Sequence, residues 1–307
     1  MKNVKLLFGP NAYHIKAVVD SLAQDARKQH GEHAVERVEG ETLELRQLPD
    51  ILQGATLFAP QRLVIVKGLS KNKPAWDALG DKLEQIPSSL QLVIVETAPD
   101  KRTRTFKQLQ KLADVHEVKE LAEPEAVKWL ADEATRCGGK LETAMAEKIV
   151  ERAGTDQWRL SNELDKLLLH SQVSDSLISE LVEMTPQANV FALLDAVMQG
   201  RTDAVRETLH EAKATEDPYM LFGLLTAQVM QLAALVHGRG RSSAEIAKLL
   251  KVHPYPLGKL SSIANKLDRS QLRSMVEAVA SMDDDVKSSD VDPWLLLERT
   301  LIKIAAR

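Results

Sequence analysis

Five short apolar runs separated by amphipathic stretches fill the first 120 residues, and this alternation constrains the fold more than any other feature. The runs are Val4 to Phe8, Ala34 to Val38, Leu63 to Val66, Leu92 to Val95 and Val115 to Val118, each rich in Val, Ile or Leu. Helical periodicity lies between them, over Tyr13 to Lys28, Gln47 to Gly54, Ala75 to Gln85 and Thr103 to Ala113. Pro74 stands where a helix accepts a proline, in its first turn. Strands that cross over through helices pair in parallel, so the spacing predicts an open α/β domain with a parallel sheet.

After Val118 the strand signal ends, and Leu121-Ala122-Glu123-Pro124 reads as a linker into helices only. Helices are expected near Pro124 to Cys137, Thr143 to Ala153, Asp156 to His170 and Asp175 to Val182, with Asp156 as an N-cap and Gly138-Gly139 as a stop. Pro186-Gln187-Ala188-Asn189 reads as a separator. A second helical block then runs from Val190 to Arg307, with apolar residues at i, i+3, i+4 and i+7. Its helices are expected near Val190 to Gln199, Thr202 to Ala212, Pro218 to His237, Ser243 to Leu250, Pro256 to Lys266, Ser270 to Asp284 and Pro293 to Ala306.

At 307 residues and 44% hydrophobic content, the chain can form two or three domains with separate cores. The net charge of -4 excludes a broad polyanion-binding coat, so any nucleic-acid contact must be local. Cys137 is the single cysteine, which rules out an internal disulfide framework or a multi-cysteine zinc site and fits a reducing compartment. No signal peptide and no stretch of about 18 apolar residues is read, so a cytoplasmic protein is expected.

Gly9-Pro10-Asn11-Ala12-Tyr13-His14-Ile15-Lys16 follows the first strand and opens a helix, where an α/β nucleotide-binding domain carries its phosphate loop. That chemistry needs a second Gly for backbone approach, a Lys on the phosphates and a hydroxyl on Mg²⁺. His14, Ile15 and Lys16 stand at those positions instead. A one-residue slip would supply the Lys but not the glycine. Metal-side carboxylates are equally thin: Leu63 to Val66 ends in Lys67-Gly68, and Leu92 to Val95 ends in Glu96-Thr97, where Glu96 reads as a strand-end surface residue. HExxH, GxSxG and GxGxxG patterns are absent. Asp283-Asp284-Asp285 reads as a solvated helix end. No catalytic residue, cofactor or metal is therefore expected, and the domain reads as nucleotide-fold architecture without nucleotide chemistry.

Gln53-Gly54-Ala55-Thr56-Leu57-Phe58 stands just ahead of the third apolar run, and Ala59-Pro60 stops any helix there. Leu57 and Phe58 have two readings: core residues of the strand's own layer, or apolar side chains held out on a rim. Basic residues gather at two places. Lys101, Arg102, Arg104 and Lys107 crowd one strand-to-helix junction, and the stretch from His237 to Arg273 holds eight Lys and Arg against two acids. Either could meet a phosphate backbone, and either could be an ordinary solvated face.

Gln53 to Phe58 resembles the clamp-binding hexapeptide of the delta-subunit family of the bacterial DNA polymerase III clamp loader. Asp156-Gln157-Trp158-Arg159-Leu160-Ser161-Asn162-Glu163-Leu164-Asp165-Lys166-Leu167 resembles that family's lid segment, and Asn189 to Val197 the start of its collar. Val252-His253-Pro254-Tyr255 and Asp292 to Glu298 are similar to further collar segments. The five segments occur in the family's order along essentially the whole chain. The motor and delta-prime siblings match less well, since they carry a four-cysteine zinc module and a Ser-Arg-Cys motif that Cys137 alone cannot supply.

The resemblance implies an AAA+-like α/β clamp-binding domain over 1–121, a helical lid over 122–187 and an all-helical collar over 188–307. It implies a clamp-loader delta subunit that binds the sliding clamp (the beta subunit) through Gln53, Leu57 and Phe58 and opens the ring for loading onto primed DNA. It further implies contacts with the gamma/tau and delta-prime subunits through the C-terminal helices, no intrinsic catalysis, and membership of a DNA-directed DNA polymerase holoenzyme. DNA contact at Lys101, Arg102, Arg104 and Lys107 is a secondary expectation. An active AAA+ ATPase and a helical DNA-binding adaptor are the alternatives.

Overall fold

The three most apolar runs form central strands buried on both faces, as a parallel sheet covered by helices requires, and the two more polar runs form its edges. They are β1 (Val4–Phe8), β2 (Val35–Glu39), β3 (Arg62–Lys67), β4 (Leu90–Glu96) and β5 (Asp114–Glu117). All pairings are parallel, in the order β2-β3-β4-β1-β5. Leu6 stands opposite Ile94 and Val64 opposite Leu92, which aligns the three central strands. The computed structural model describes residues 3–55, 60–252 and 254–306.

Alternation along the strands sends side chains to two helical layers. Leu6, Phe8, Val64, Val66, Leu92 and Ile94 meet Trp76 and Leu79 of α3 (Lys73–Lys82) and Phe106 and Leu109 of α4 (Arg104–Leu112). Leu7, Leu63, Ile65 and Val93 meet Ile15, Val19, Ala23 and Ala26 of α1 (Ala12–His30). Phe8 and Phe106 contact edge to face at 5.4 Å. The edge strands β2 and β5 read Val-Glu-Arg-Val-Glu and Asp-Val-His-Glu, and such charge discourages pairing with a foreign strand.

Gln47 to Gly54 departs from expectation. Only one turn is α-helical, α2 (Leu48–Ile51), because the chain leaves the helix at Leu52 to meet groups from β3 and the β4 approach, described below.

The chain divides into two compact units, one holding the residues up to Leu121 together with Asp156–Trp158, the other the remainder. The second unit is helical: α5 (Glu123–Arg136), α6 (Thr143–Ala153), α7 (Gln157–Leu168, whose first two residues group with the first unit), α8 (Asp175–Leu181), α9 (Pro186–Met198), α10 (Thr202–Thr215), α11 (Pro218–His237), α12 (Ser243–Leu250), α13 (Pro254–Lys266), α14 (Arg269–Ser288) and α15 (Pro293–Ala305). Pro186 to Asn189 is not a separator but the first turn of α9: Thr185 caps it, its hydroxyl accepting from Ala188 N at 3.1 Å, and Pro186 needs no hydrogen-bond acceptor there.

Helix α8 is only seven residues long, and its last carbonyls are met from neighbouring helices. Arg152 donates to Val182 O at 2.7 Å, Lys166 to Leu181 O at 2.9 Å and Arg159 to Glu183 O at 2.8 Å. Cations at the negative end of a helix dipole favour it as well. Among the described residues, α11 is long and apolar enough to cross a membrane, which corrects the expectation that no such stretch exists. One face of it packs into the helical core, with Leu221, Leu225, Val229 and Leu232 buried among α9, α13, α14 and α15, while Tyr219, Met220 and Met230 are exposed.

Candidate functional site

The loop between β1 and α1 is tied to its neighbours by Gly9 and Asn11. Gly9 has φ +140°, and a Cβ there would come within 2.0 Å of Val118 O, so the position requires glycine. Gly9 N donates to Glu96 O, and Val118 N donates to Phe8 O. Asn11 is 3% exposed. Its Oδ1 accepts from His14 N at 3.0 Å, while its Nδ2 donates to Lys119 O at 3.1 Å and to Gln157 Oε1 at 2.7 Å. A first-turn N–H of the kind that would meet a phosphate thus has a resident acceptor. Ile15 is buried against the sheet. Lys16 is exposed and pairs with Asp20 at 2.6 Å. That bond, with a second from Arg37, holds the Asp20 carboxyl below its ordinary range.

Glu96 corrects an expectation. It is 3% exposed rather than a surface residue, and its carboxylate accepts from Ser70 N at 2.8 Å and Ser70 Oγ at 2.6 Å. Burial pushes its pKa up, against the opposing pull of those bonds. The carboxylate ties the end of β4 to the loop after β3, and its backbone carbonyl ties β4 to Gly9. Glu96 is a bracket between three loops.

The segment ahead of β3 is anchored at its base. Arg62, the first residue of β3, has a side chain only 11% exposed. It donates to Gln53 O at 2.9 Å and Asp50 O at 3.3 Å, and pairs with Glu36. Ala55 N donates to Ser89 Oγ at 3.2 Å. Gly54 lies so close to Ser89 and Pro87 that a Cβ would fall 2.1 Å from Ser89 Oγ. The side chain of Gln53 is exposed. Leu57 and Phe58 lie outside the described residues, as does His253. Sequence reasoning missed Arg62, Ser89 and Asn11. A basic residue opening an apolar strand was the one visible signal, at Arg62.

Lys101, Arg102, Arg104 and Lys107 come together at the start of α4, and all four are exposed. Three carry acidic partners: Lys101 pairs with Glu117 at 3.0 Å, Arg102 with Asp100 at 3.0 Å and Arg104 with Asp81 at 3.0 Å. The Arg102 bonds hold the Asp100 carboxyl down to about 2. Lys101 also lies over the Phe8 ring, 5.0 Å from its centre. In the stretch from His237 to Arg273, by contrast, Arg241, Lys248, Lys251, Lys266 and Arg269 take no ion-pair partner among the described residues. The Asp283 to Asp285 run behaves as a solvated face: Asp283 pairs with Lys287 at 2.5 Å and Asp285 with Arg299.

An α/β unit with a parallel five-stranded sheet and a self-satisfied β1–α1 loop, joined to helices only, defines a class of nucleotide-fold relatives whose loop is closed by protein. The model described as "DNA polymerase III, delta subunit" matches residues 6–119, and that of the delta subunit's C-terminal domain matches residues 187–304. The chain belongs to the DNA polymerase III delta-subunit family. DNA polymerase III subunit delta of Bacillus subtilis (strain 168) is 26% identical over 271 residues, which is 80% of this chain and 76% of that protein. The solved Bacillus subtilis DNA clamp loader delta protein (YqeN) shares the fold, with a TM-score of 0.70 at 22% identity over 99% of this chain and 96% of the other.

Proposed function

We propose that this chain is the clamp-gripping subunit of its loader: it binds the ring-shaped sliding clamp through Gln53, Leu57 and Phe58 and opens one ring interface for loading onto primed DNA. The observation that carries this reading is the anchored base of the segment. Arg62, Ser89 and Gly54 fix the backbone up to Ala55 on a buried strand, which leaves the family's apolar pair to follow from a rigid support. Entry of Leu57 and Phe58 into an apolar pocket would bury about 1.5–3 kcal/mol of side chain each. Opening follows only if the subunit binds the open ring better than the closed one. The capped β1–α1 loop supports a subunit that leaves ATP chemistry to gamma/tau neighbours. We assign residues 122–187 the role of lid and residues 188–307 that of collar, contacting gamma/tau and delta-prime, in an assembly of the bacterial cytoplasm. Titration of the clamp against the wild type and L57A/F58A tests the grip. Retained affinity in the double variant, with its fold intact, rejects it.

A second reading, DNA contact, is better supported in the C-terminal block than at the start of α4. Lys101, Arg102 and Arg104 would have to give up carboxylate partners, whereas Arg241, Lys248 and Lys251 would not. Binding of primed DNA to the full chain, followed against salt, should weaken steeply in the wild type and less in R241Q/K248Q/K251Q.

A further inference from the structure

The helical unit contains an open cleft of about 1480 Å³ between α5, α6 and α8 on one side and α9 and α13 on the other. This exceeds the roughly 300–1,000 Å³ usual for small-molecule sites, so its size suits a polypeptide. Its floor includes Val127, Ile178, Phe191 and Ile263. Its rim is charged, and the two signs are not equally available. Lys259 pairs with Glu123 at 3.3 Å, Lys148 pairs with Asp175, and Arg152 is turned to the carbonyls of Val182 and Ser179. Lys128 is the one lining cation left without an acidic or carbonyl partner among the described residues. Against it stand Asp132 of α5, Glu147 and Glu151 of α6 and Asp195 of α9. All four are exposed and have no ion-pair partner among the described residues. Glu147 and Glu151 are one turn apart, so they share a face of α6.

We propose that this cleft receives a basic amphipathic segment of a partner protein, its apolar face on the floor and its Lys or Arg side chains on the carboxylates of the rim. Four unpaired carboxylates from three helices give the cleft a negative field that repels phosphate and attracts such a segment. The inference is independent of the clamp reading, and its test uses no clamp.

The experiment is fluorescence anisotropy of a labelled helical peptide of Leu and Lys against the full chain, with a peptide carrying Glu in place of Lys as its counterpart. The Lys peptide should bind, weaken as salt rises, and lose about tenfold or more in affinity with E147K/E151K. D132K/D195K, altered on two other helices, should give the same loss. E84K, a charge reversal on the α/β unit, should change nothing. Equal binding of the Glu peptide or an equal loss with E84K would overturn the proposal.

Discussion

Two loops of the α/β unit, both at the ends of sheet strands, have been treated in opposite ways. The loop after β1 is tied to its neighbours: Gly9 lies against Val118, and Asn11 supplies both the acceptor for α1 and the donors for Lys119 and Gln157. The segment before β3 is held at its base, by Arg62 and Ser89, while the side chain of Gln53 stays exposed. A first-turn N–H that already meets a resident side chain is one donor fewer for a ligand. A segment tied through its backbone at Gln53 and Ala55 keeps the Gln53 side chain for solvent. The contrast is between a loop tied through a buried side chain and a segment tied through its backbone.

The largest effect expected is on the second loop. L57A/F58A should weaken clamp binding by about 3–6 kcal/mol, or about two to four orders of magnitude, with an unchanged thermal melt; isothermal titration calorimetry reads the affinity. On the first loop, N11A should lower stability by about 2 kcal/mol in urea unfolding, since it removes a helix cap and leaves buried partners unmet. Clamp affinity should be unchanged. A drop in affinity with N11A would erase the distinction between the loops.

Between the loops stands Glu96. E96A should destabilise by about 1–3 kcal/mol by leaving Ser70 N without an acceptor, whereas E96Q keeps an oxygen there and should be nearly neutral. The pH dependence has a definite sign. The folded-state pKa lies above the ordinary 4.5, so the folded protein binds this proton more readily, and stability falls as pH rises from about 4.5 through the folded pKa. Urea unfolding across that range should show the fall in the wild type and not in E96Q. The smallest effect belongs to Arg62. R62A should weaken clamp binding by about 1 kcal/mol through a loosened base, and R62K should not rescue it, because an ammonium cannot fork between two carbonyls and a carboxylate.

Much of this was legible in the sequence where chemistry is local. Leu63 to Val66 and Leu92 to Val95 are strands, as short apolar runs rich in Val and Ile and flanked by polar residues favour. His14, Ile15 and Lys16 already lacked the usual phosphate and metal contacts by residue type. What escaped depended on partners far away in the chain. Glu96 reads as exposed until Ser70, 26 residues earlier, is brought beside it. The helix expected over Gln47 to Gly54 stops early because Arg62 and Ser89 take the backbone groups that would have continued it. Pro186 misled in the other direction: a proline was read as a break where Thr185 made it a beginning.

Arg62 also has a mechanical meaning. It is the first residue of β3, and β3 is paired along its length to β2 on one side and β4 on the other. Tension applied at Gln53 passes through the guanidinium into the end of that strand and runs along its axis. The ladder bonds on both sides then share the load in shear rather than parting one at a time. A handle built this way transmits a pull to the whole sheet before it yields.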